Sequence, residues 1–310
     1  MRWLDRAYVR LVPRAACFPD GWGDDGVLRT PIELDWRTEA PPVPRPTWTR
    51  ARAHGRIRIR EGELESPEAS LPPESRWVRF RWLTPREGRA RAFAVALPAW
   101  GDEGFDARRR LLAPAVAHGV AVAILENAFY GSRRRVGQRG ARLRTVADFV
   151  TMGRAAVAEA RALMAWGRAR GFEDVGVVGF SMGGQMAAMT AAMVPWPVRV
   201  VAMAPSISPA SVFLDGPLER DVGWERLGSD ARPRLREVME RLSVLDLPPP
   251  HDPRRARLVG TRRDVIVPPG DVDAIGRHWG VYPRWLDDGH VSAIALRRHA
   301  LAQAVVDAFA

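Results

Sequence analysis

Three residues able to support nucleophilic catalysis occur in order along the chain, each just after a segment that predicts a β-strand. The first, Ser181, stands in the sequence Gly179-Phe180-Ser181-Met182-Gly183. An apolar run precedes this motif and a segment rich in alanine and methionine follows it, which predicts a strand and then a helix. We therefore predict a nucleophile elbow, the tight strand-to-helix turn that exposes a serine, at Ser181.

The glycines around this serine fit the same interpretation. A nucleophile elbow holds its serine in a strained backbone conformation, and a Cβ at Gly179 or Gly183 would collide with the adjoining strand or helix. Gly184 extends that clearance by one residue. The alternative that the motif alone leaves open is a glycine-rich turn with an ordinary hydroxyl.

Asp264 and His290 are the candidates for the other two members of a catalytic triad. Each follows a predicted strand, and Ser181, Asp264 and His290 occur in the order serine, acid, histidine that accompanies a nucleophile elbow. The carboxylate would accept the imidazole N–H and fix its tautomer, so that the ring can take the serine proton. Two alternatives stay open: an ion pair of Asp264 with Arg262 or Arg263, and a capping or solvated role for His290.

The oxyanion of a tetrahedral intermediate requires backbone N–H donors. Elbow geometry makes the amide of Met182 one of them. The second is expected from the loop after the predicted strand 93–97, where we assign the amide of Trp100. The Trp100 indole alternatively forms only a wall of the pocket.

Glu126 follows another predicted strand and so borders the same crevice. It either supports the site through hydrogen bonds or is a buried carboxylate paired with Arg133, Arg134 or Arg135. The three arginines alternatively hold an anionic group of the substrate or lie on a solvated loop.

The elements that must position these residues follow an alternating pattern. From residue 89 onward, apolar strands alternate with helical segments, which predicts an α/β fold: a mostly parallel central sheet with helices on both faces. Ligands of such sheets bind beyond the carboxyl ends of the strands, where Ser181 falls. The predicted strands are 93–97, 120–125, 175–180, 198–204, 256–260 and 282–286, and the predicted helices are 106–118, 146–170, 185–194, 271–278 and 291–309.

Two stretches depart from this alternation. Residues 1–75 are predicted to be an N-terminal extension that packs on the core, and residues 76–310 to be the catalytic domain. The extension contains an amphipathic helix over 2–12, which docks on the domain or contacts a membrane surface, and a proline-rich spacer over 41–46. Segments 56–60 and 77–83 predict antiparallel strands at the sheet edge. Residues 205–250 contain no predicted strand and are a candidate lid.

The composition bounds the class of protein. All 47 basic residues are arginine and the net charge is +11, a bias typical of a GC-rich bacterial genome. Because acidic residues are interleaved with the arginines and no basic helix carries stacking aromatics, we do not expect specific nucleic-acid binding.

The single cysteine, Cys17, excludes an internal disulfide and a thiolate metal site. No paired histidine surrounds it, which argues against a reactive role. No run of 18 uncharged apolar residues and no signal-peptide pattern occurs, so we expect a cytoplasmic protein. The chemistry outlined above requires no cofactor and no metal.

Short motifs spread over most of the chain accompany the three candidate residues. They are Leu4-Asp5, Gly21-Trp22-Gly23, Gly101-Asp102 with Arg108-Arg109-Arg110, Leu125-Glu126-Asn127, Tyr130-Gly131, Met152-Gly153, Ser181-Met182-Gly183-Gly184, Ser211-Val212-Phe213, Trp224, Asp264 with Pro268, and Gly289-His290-Val291-Ser292-Ala293. In these motifs the chain resembles the abhydrolase-domain-containing eighteen family of the α/β-hydrolase superfamily. The resemblance implies an α/β-hydrolase fold with Ser181, Asp264 and His290 as the triad. The chain departs from it where the family has Gly-Thr-Gly-Asp and this sequence has Ala-Trp-Gly-Asp at 99–102.

The expected function is that of a serine hydrolase acting on small-molecule or lipid acyl esters, carboxylesterase or lipase-like, through an acyl-enzyme. Thioesterase, amidase and acyltransferase reactions use the same three groups and stay open. An alternative of another class is a non-catalytic scaffold of this fold whose basic surface binds an acidic partner or a membrane.

Overall fold

Ten strands in the described part of the chain form one β-sheet. The computed structural model describes residues 4–7, 17–30 and 34–310. In chain order the strands are β1 (Thr47–Trp48), β2 (Arg52–His54), β3 (Ile57–Glu65), β4 (Trp77–Pro85), β5 (Ala92–Leu97), β6 (Val120–Leu125), β7 (Asp174–Phe180), β8 (Arg199–Met203), β9 (Ala256–Thr261) and β10 (Arg284–Leu286).

The strand order across the sheet is β1-β3-β4-β6-β5-β7-β8-β9-β10, with β2 paired to β3. All pairs from β6 to β10 are parallel, whereas β1, β2, β3 and β4 join through antiparallel pairs. The predicted mostly parallel sheet is confirmed, and so are the antiparallel strands near one edge. Strands β1 to β3 lie within the predicted extension, so that stretch contributes to the same sheet; the domain boundary at residue 75 stays a prediction.

Helices cover both faces of the sheet. The α-helices with assigned bounds are α1 (Asp25–Arg29), α2 (Asp106–Ala117), α3 (Val146–Ala169), α4 (Met182–Ala192), α5 (Ala210–Phe213), α6 (Trp224–Leu227), α7 (Ala231–Glu240), α8 (Pro269–Trp279), α9 (His290–Leu296) and α10 (Arg298–Ala308).

The strands at the centre read as unbroken apolar runs because each of their faces meets a helical layer. Val95 of β5 packs in one core with α3, α4 and α8, whereas its neighbour Ala94 packs in another with α2 and α10. Every residue of β5 and β6 is buried. Since complete burial of a valine or leucine side chain stabilises a fold by about 1.5–3 kcal/mol, these runs stabilise the centre of the sheet.

Two helix boundaries differ from the prediction. The helix after the serine motif begins at Met182, because its glycines join the first turn. The single closing helix predicted over 291–309 is divided at Arg297, whose φ of −110° and ψ of 22° leave helical geometry. His290 thus opens its own short helix, α9. Among the described helices, none combines the length and apolar character that a membrane span demands.

Segment 205–250 forms a helical layer beside the carboxyl ends of the strands. No strand occurs in it, as predicted, and α5, α6 and α7 pack in one core with the N-terminal part of α3. Residues of the 17–30 stretch hold this layer from outside: Cys17 bridges to Val222, and the Trp22 Nε1–H donates to Leu227 O at 3.0 Å. Whether the layer moves as a lid stays a prediction. The predicted helix over 2–12 lies mostly outside the described residues, of which 4–7 are helical.

Candidate active site

Ser181 occupies a strained turn between β7 and α4. Its φ of 58° and ψ of −126° lie in a region that residues other than glycine rarely adopt. The Ser181 amide donates to Met203 O of β8 at 2.8 Å, and Ser181 O accepts from the Gln185 amide at 3.0 Å. The serine is therefore fixed to a neighbouring strand on one side and to the helix on the other, in the conformation predicted for a nucleophile elbow.

The glycines of the motif are required by close backbone contacts. A Cβ on Gly179 would lie 2.0 Å from Gly183 O, and a Cβ on Gly183 would lie 2.7 Å from Leu97 O at the end of β5. A Cβ on Gly184 would come within 2.7 Å of Met203 O. Backbone atoms cannot move aside as a side chain can, so the collision predicted from the sequence is confirmed at all three positions.

His290 and Asp264 form a buried pair. His290 Nδ1 and Asp264 Oδ2 are 2.7 Å apart, and their side chains are 8% and 1% exposed. The Thr261 hydroxyl donates to the same oxygen at 2.6 Å, while the amides of Ile266 and Val267 donate to Oδ1 at 2.8 and 2.9 Å. The carboxylate is thus held by four donors.

The pKa of Asp264 lies below its ordinary value. Burial, the largest single effect, would raise it, but the charge and hydrogen bond of His290, the Thr261 hydroxyl and the Val267 amide together outweigh burial. The carboxylate is therefore ionised at neutral pH. The alternative of an arginine partner is wrong, because Arg263 pairs with Asp287 and Arg262 lies over the Trp285 ring.

Ser181 and His290 line the same cavity. The His290 ring packs on Phe180, the residue before the serine, with ring centroids 4.7 Å apart. Within the described residues no hydrogen bond joins the serine hydroxyl to the imidazole. Approach of substrate often shortens such contacts, so the shared wall is the relevant geometry.

The loop after β5 borders the cavity and contains a backbone N–H without an acceptor among the described residues. Its amides at Gly101, Asp102 and Glu103 donate to Tyr130 Oη, Ala99 O and Gly101 O, respectively. The Trp100 amide has no acceptor in the part of the chain that the structure describes. Met182 is the first residue of α4, where amides lack an intrahelical acceptor. Both amides assigned from the sequence are therefore available.

A buried arginine that sequence reasoning did not single out braces this loop. Arg108 Nε donates to Asp102 Oδ2 at 2.7 Å, and its terminal nitrogens donate to Ala96 O, Leu125 O and Gly104 O at 3.1, 2.5 and 2.6 Å. It therefore ties the loop to the ends of β5 and β6. The run of three arginines at 108–110 gave no sign of which one is buried.

Of the two alternatives for Glu126, the pairing with an arginine side chain is wrong. Its carboxylate accepts from the amide and hydroxyl of Ser132. Arg133 instead forms a buried pair with Glu159 at 2.6 Å. The two other arginines of this loop pair with carboxylates at 103 and 148, so the alternative of a free anion-binding cluster is wrong as well.

The cavity has a volume of about 410 Å³ and mostly apolar walls. Trp100 and Phe213 meet edge to face with centroids 5.1 Å apart, and Phe149 packs on both rings. Asn127 is a polar exception: it is 1% exposed, and neither atom of its side-chain amide has a hydrogen-bond partner in the described chain. The wall residues include Ala96, Trp100, Asn127, Phe149, Met152, Ser181, Met182, Met186, Val212, Phe213, Leu218, Ile266 and His290.

The described residues contain neither a cluster of metal-ligating side chains nor a reactive thiol. No group of three or more metal-ligating side chains occurs among them. Burial, reinforced by Asp221, raises the pKa of the Cys17 thiol to about 12, which keeps it protonated. A nucleophilic role for Cys17 is thereby disfavoured, in line with the sequence.

Known proteins resemble the chain in sequence and in structure. The family model described as alpha/beta hydrolase domain containing 18 matches residues 16–232 and 228–310. The structure of the acetyl xylan esterase from Paenibacillus sp. R4 is similar with a TM-score of 0.60 and 14% identity, over 85% of this chain and 88% of that one.

Two further esterases share the fold. Acetyl xylan esterase 1 from Thermoanaerobacterium sp. JW/SL YS485 is similar with a TM-score of 0.58 and 16% identity, over 96% of this chain and 97% of that one. A thermostable esterase from Pseudomonas putida ECU1011 is similar with a TM-score of 0.55 and 16% identity, over 83% and 84%. At such identities the likeness establishes the α/β-hydrolase fold.

Proposed function

Because the chain belongs to the family alpha/beta hydrolase domain containing 18, we propose that it is a serine hydrolase that cleaves acyl esters. One observation carries the proposal: a serine with φ of 58° at a strand-to-helix turn shares a cavity with a buried histidine–aspartate pair. A strained serine backbone costs stability, and catalysis is a reason for a fold to hold such a serine beside a buried histidine–aspartate pair.

The proposed reaction proceeds through an acyl-enzyme. His290 accepts the proton of the Ser181 hydroxyl as the serine oxygen attacks the carbonyl carbon of the ester. The amides of Met182 and Trp100 donate to the oxyanion of the tetrahedral intermediate. As the intermediate collapses, the imidazolium protonates the departing alcohol, and the acyl group stays on the serine.

Deacylation repeats these steps with water. His290 takes a proton from the water that attacks the acyl-enzyme, and returns it to the Ser181 oxygen when the acid leaves. Asp264 accepts the Nδ1–H throughout and stabilises the imidazolium by its charge. The overall reaction consumes one water and releases an acid and an alcohol, and it balances without a metal or cofactor.

The esterases of similar fold support an ester as substrate, and the apolar walls favour an aliphatic acyl group. We assign the acyl chain to the part of the cavity around Trp100, Phe149 and Phe213. A carboxylesterase or lipase-like specificity fits these walls, because burial of each methylene stabilises a complex by about 0.8 kcal/mol.

Covalent labelling tests the proposed nucleophile. A fluorophosphonate should add once to the folded wild-type protein, on the peptide that contains Ser181, because only an activated serine attacks this phosphorus readily. Intact-mass and peptide spectra measure the adduct. Ser181→Ala should show none, whereas Ser229→Ala, which removes an exposed serine, should label like wild type. Folded wild-type protein that stays unlabelled would overturn the proposal and favour a non-catalytic scaffold.

Acyl chain length should govern the specificity. For p-nitrophenyl esters, kcat/KM is expected to rise about fourfold per methylene, the equivalent of about 0.8 kcal/mol, until the cavity is filled. Phe213→Ala should move the end of this rise to longer chains because it removes a ring from the wall. Tyr282→Ala, at a side chain that is 99% exposed, is the matched aromatic control. A flat profile for wild type would place the acyl chain elsewhere.

A further inference from the structure

The Asp5 carboxylate lies between the two loops that carry His290 and Asp264. Asp5 is fully buried, with an exposed fraction of 0%. Its Oδ2 accepts from the His290 amide at 2.7 Å and from the Val265 amide at 3.4 Å, and its Oδ1 accepts from the Val291 amide at 2.9 Å. One carboxylate from near the N-terminus thus contacts the backbone of both loops.

These contacts supply what α9 lacks locally. A helix usually receives its N-terminal cap from the side chain of the residue just before it, which accepts from the first free amides. Here that residue is Gly289, which has no side chain. The amides of His290 and Val291 are instead bound by Asp5, a residue 285 and 286 positions away. The Ser292 hydroxyl accepts from the Gly289 amide at 2.9 Å, so the start of α9 is fixed both by this local contact and by a distant part of the chain.

The glycine at this position leaves room for the carboxylate. A Cβ on Gly289 would lie 2.4 Å from Asp5 Oδ2 and 2.7 Å from its Oδ1. The φ of Gly289 is −87°, a value that any residue adopts, so close approach of Asp5 is the reason for glycine here. Gly289 and Asp5 form one unit.

His290 is consequently held at two points. Asp264 binds the ring at Nδ1, and Asp5 binds the backbone amide of the same residue. A general base must lie within a fraction of an ångström of its working position, and a displacement of about 1 Å can cost about 10²-fold in rate. We propose that Asp5 is a positioning residue for His290, an inference that rests on the proposed function.

The first test removes the carboxylate. Asp5→Ala is expected to lower kcat for a p-nitrophenyl ester about 10²-fold while KM changes less than about twofold, because Asp5 does not line the part of the cavity assigned to the acyl chain. Asp5→Asn keeps one acceptor oxygen but replaces the other with an NH₂ group, which cannot accept from an amide. Its kcat should therefore fall between those of wild type and Asp5→Ala. Fluorophosphonate labelling should slow in parallel. If Asp5→Ala does not fold, Asp5→Asn provides the measurement.

A matched control separates positioning from loss of stability. Asp24 also caps a helix with its carboxylate, accepting from the amides of Gly26 and Val27 at the exposed start of α1. Asp24→Ala should lower Tm, as loss of a cap does, and leave kcat within about twofold of wild type. Both variants are assayed well below their Tm, so that all molecules are folded.

A double-mutant cycle tests the pairing of Asp5 with Gly289. Gly289→Ala alone should reduce kcat by an amount similar to Asp5→Ala, because the new methyl group displaces the carboxylate. In the Asp5→Ala background the same change has nothing to displace and should cost little. The two effects on kcat would then be strongly non-additive.

The outcomes are distinct. A kcat for both Asp5 variants within about twofold of wild type, or additive effects in the cycle, would overturn the inference. So would a loss of kcat in Asp24→Ala as large as that in Asp5→Ala, since loss of a cap would then explain both. Absence of labelling in wild type is the separate result that overturns the proposed function itself.

Discussion

Replacing Ser181 with alanine is expected to lower kcat for ester hydrolysis about 10⁶-fold, the scale seen when a triad serine is removed from other hydrolases. The fold should survive, because alanine keeps the Cβ of serine and adds no atom, and the chain already has an alanine at positive φ: Ala204 has a φ of 46°. Steady-state kinetics on p-nitrophenyl esters and a thermal melt by circular dichroism measure the two properties.

Ser229→Ala is the control for this substitution, since it removes an exposed hydroxyl outside the cavity. Residual activity of more than about 10⁻³ of wild type in Ser181→Ala would contradict the assignment, since what is left after loss of a triad serine should be far smaller. A contaminating esterase is excluded when fluorophosphonate labelling disappears together with turnover.

Asp264→Asn should lower kcat about 10⁴-fold with little change in KM. The Ile266 and Val267 amides occupy Oδ1, so the replacing amide group keeps its oxygen there and turns its NH₂ toward His290. An NH₂ can only donate to Nδ1, which forces the proton onto Nε2. The imidazole then cannot accept the serine proton.

Asp287→Asn is the matched control, because Asp287 is exposed and pairs with Arg263 on the same loop system. Its kcat should stay within about twofold of wild type. A similar loss of kcat in Asp264→Asn and Asp287→Asn would indicate that both substitutions disrupt the loops. Asp264→Asn with wild-type kcat would exclude Asp264 as the acid of the triad.

Asp264→Asn should also change how the free energy of unfolding depends on pH. The pKa of Asp264 is lower in the folded protein than the ordinary value of about 3.9, so the ionised group stabilises the fold above that value. This contribution is lost as the pH falls through the lower, folded-state pKa. The difference in free energy of unfolding between wild type and Asp264→Asn should therefore narrow as the pH is lowered toward 3.

Local sequence patterns predicted most of the strands and helices of the fold. Buried strands such as β5 and β6 have only apolar or small residues because both of their faces are covered, and that property is visible in a one-dimensional sequence. The place of Ser181 followed from the same reasoning, since a strand, a turn with glycines and a helix are adjacent in the chain. The order of serine, aspartate and histidine then named Asp264 and His290 as candidates.

Local sequence patterns could not predict contacts between residues that are far apart in the chain. Nothing local distinguishes Arg108 from its arginine neighbours, and its buried bonds depend on where the ends of β5 and β6 meet. Charge suggested an arginine as one possible partner of Glu126, whereas the structure provides the hydroxyl and amide of Ser132. The bond between Asp5 and His290 requires knowledge of the whole fold, because no periodicity links residues so far apart.

Formation of the bond between Asp5 and His290 also limits how early in synthesis the proposed activity can appear. Asp5 leaves the ribosome 285 residues before its partner His290. Contacts over such a separation form late in folding, because closing a long loop costs entropy before the contact is made. A nascent chain that ends before His290 lacks the proposed base and leaves Asp5 without the His290 and Val291 amides. Under the proposed function, the onset of activity during synthesis would thus mark completion of the C-terminal helices rather than formation of the sheet.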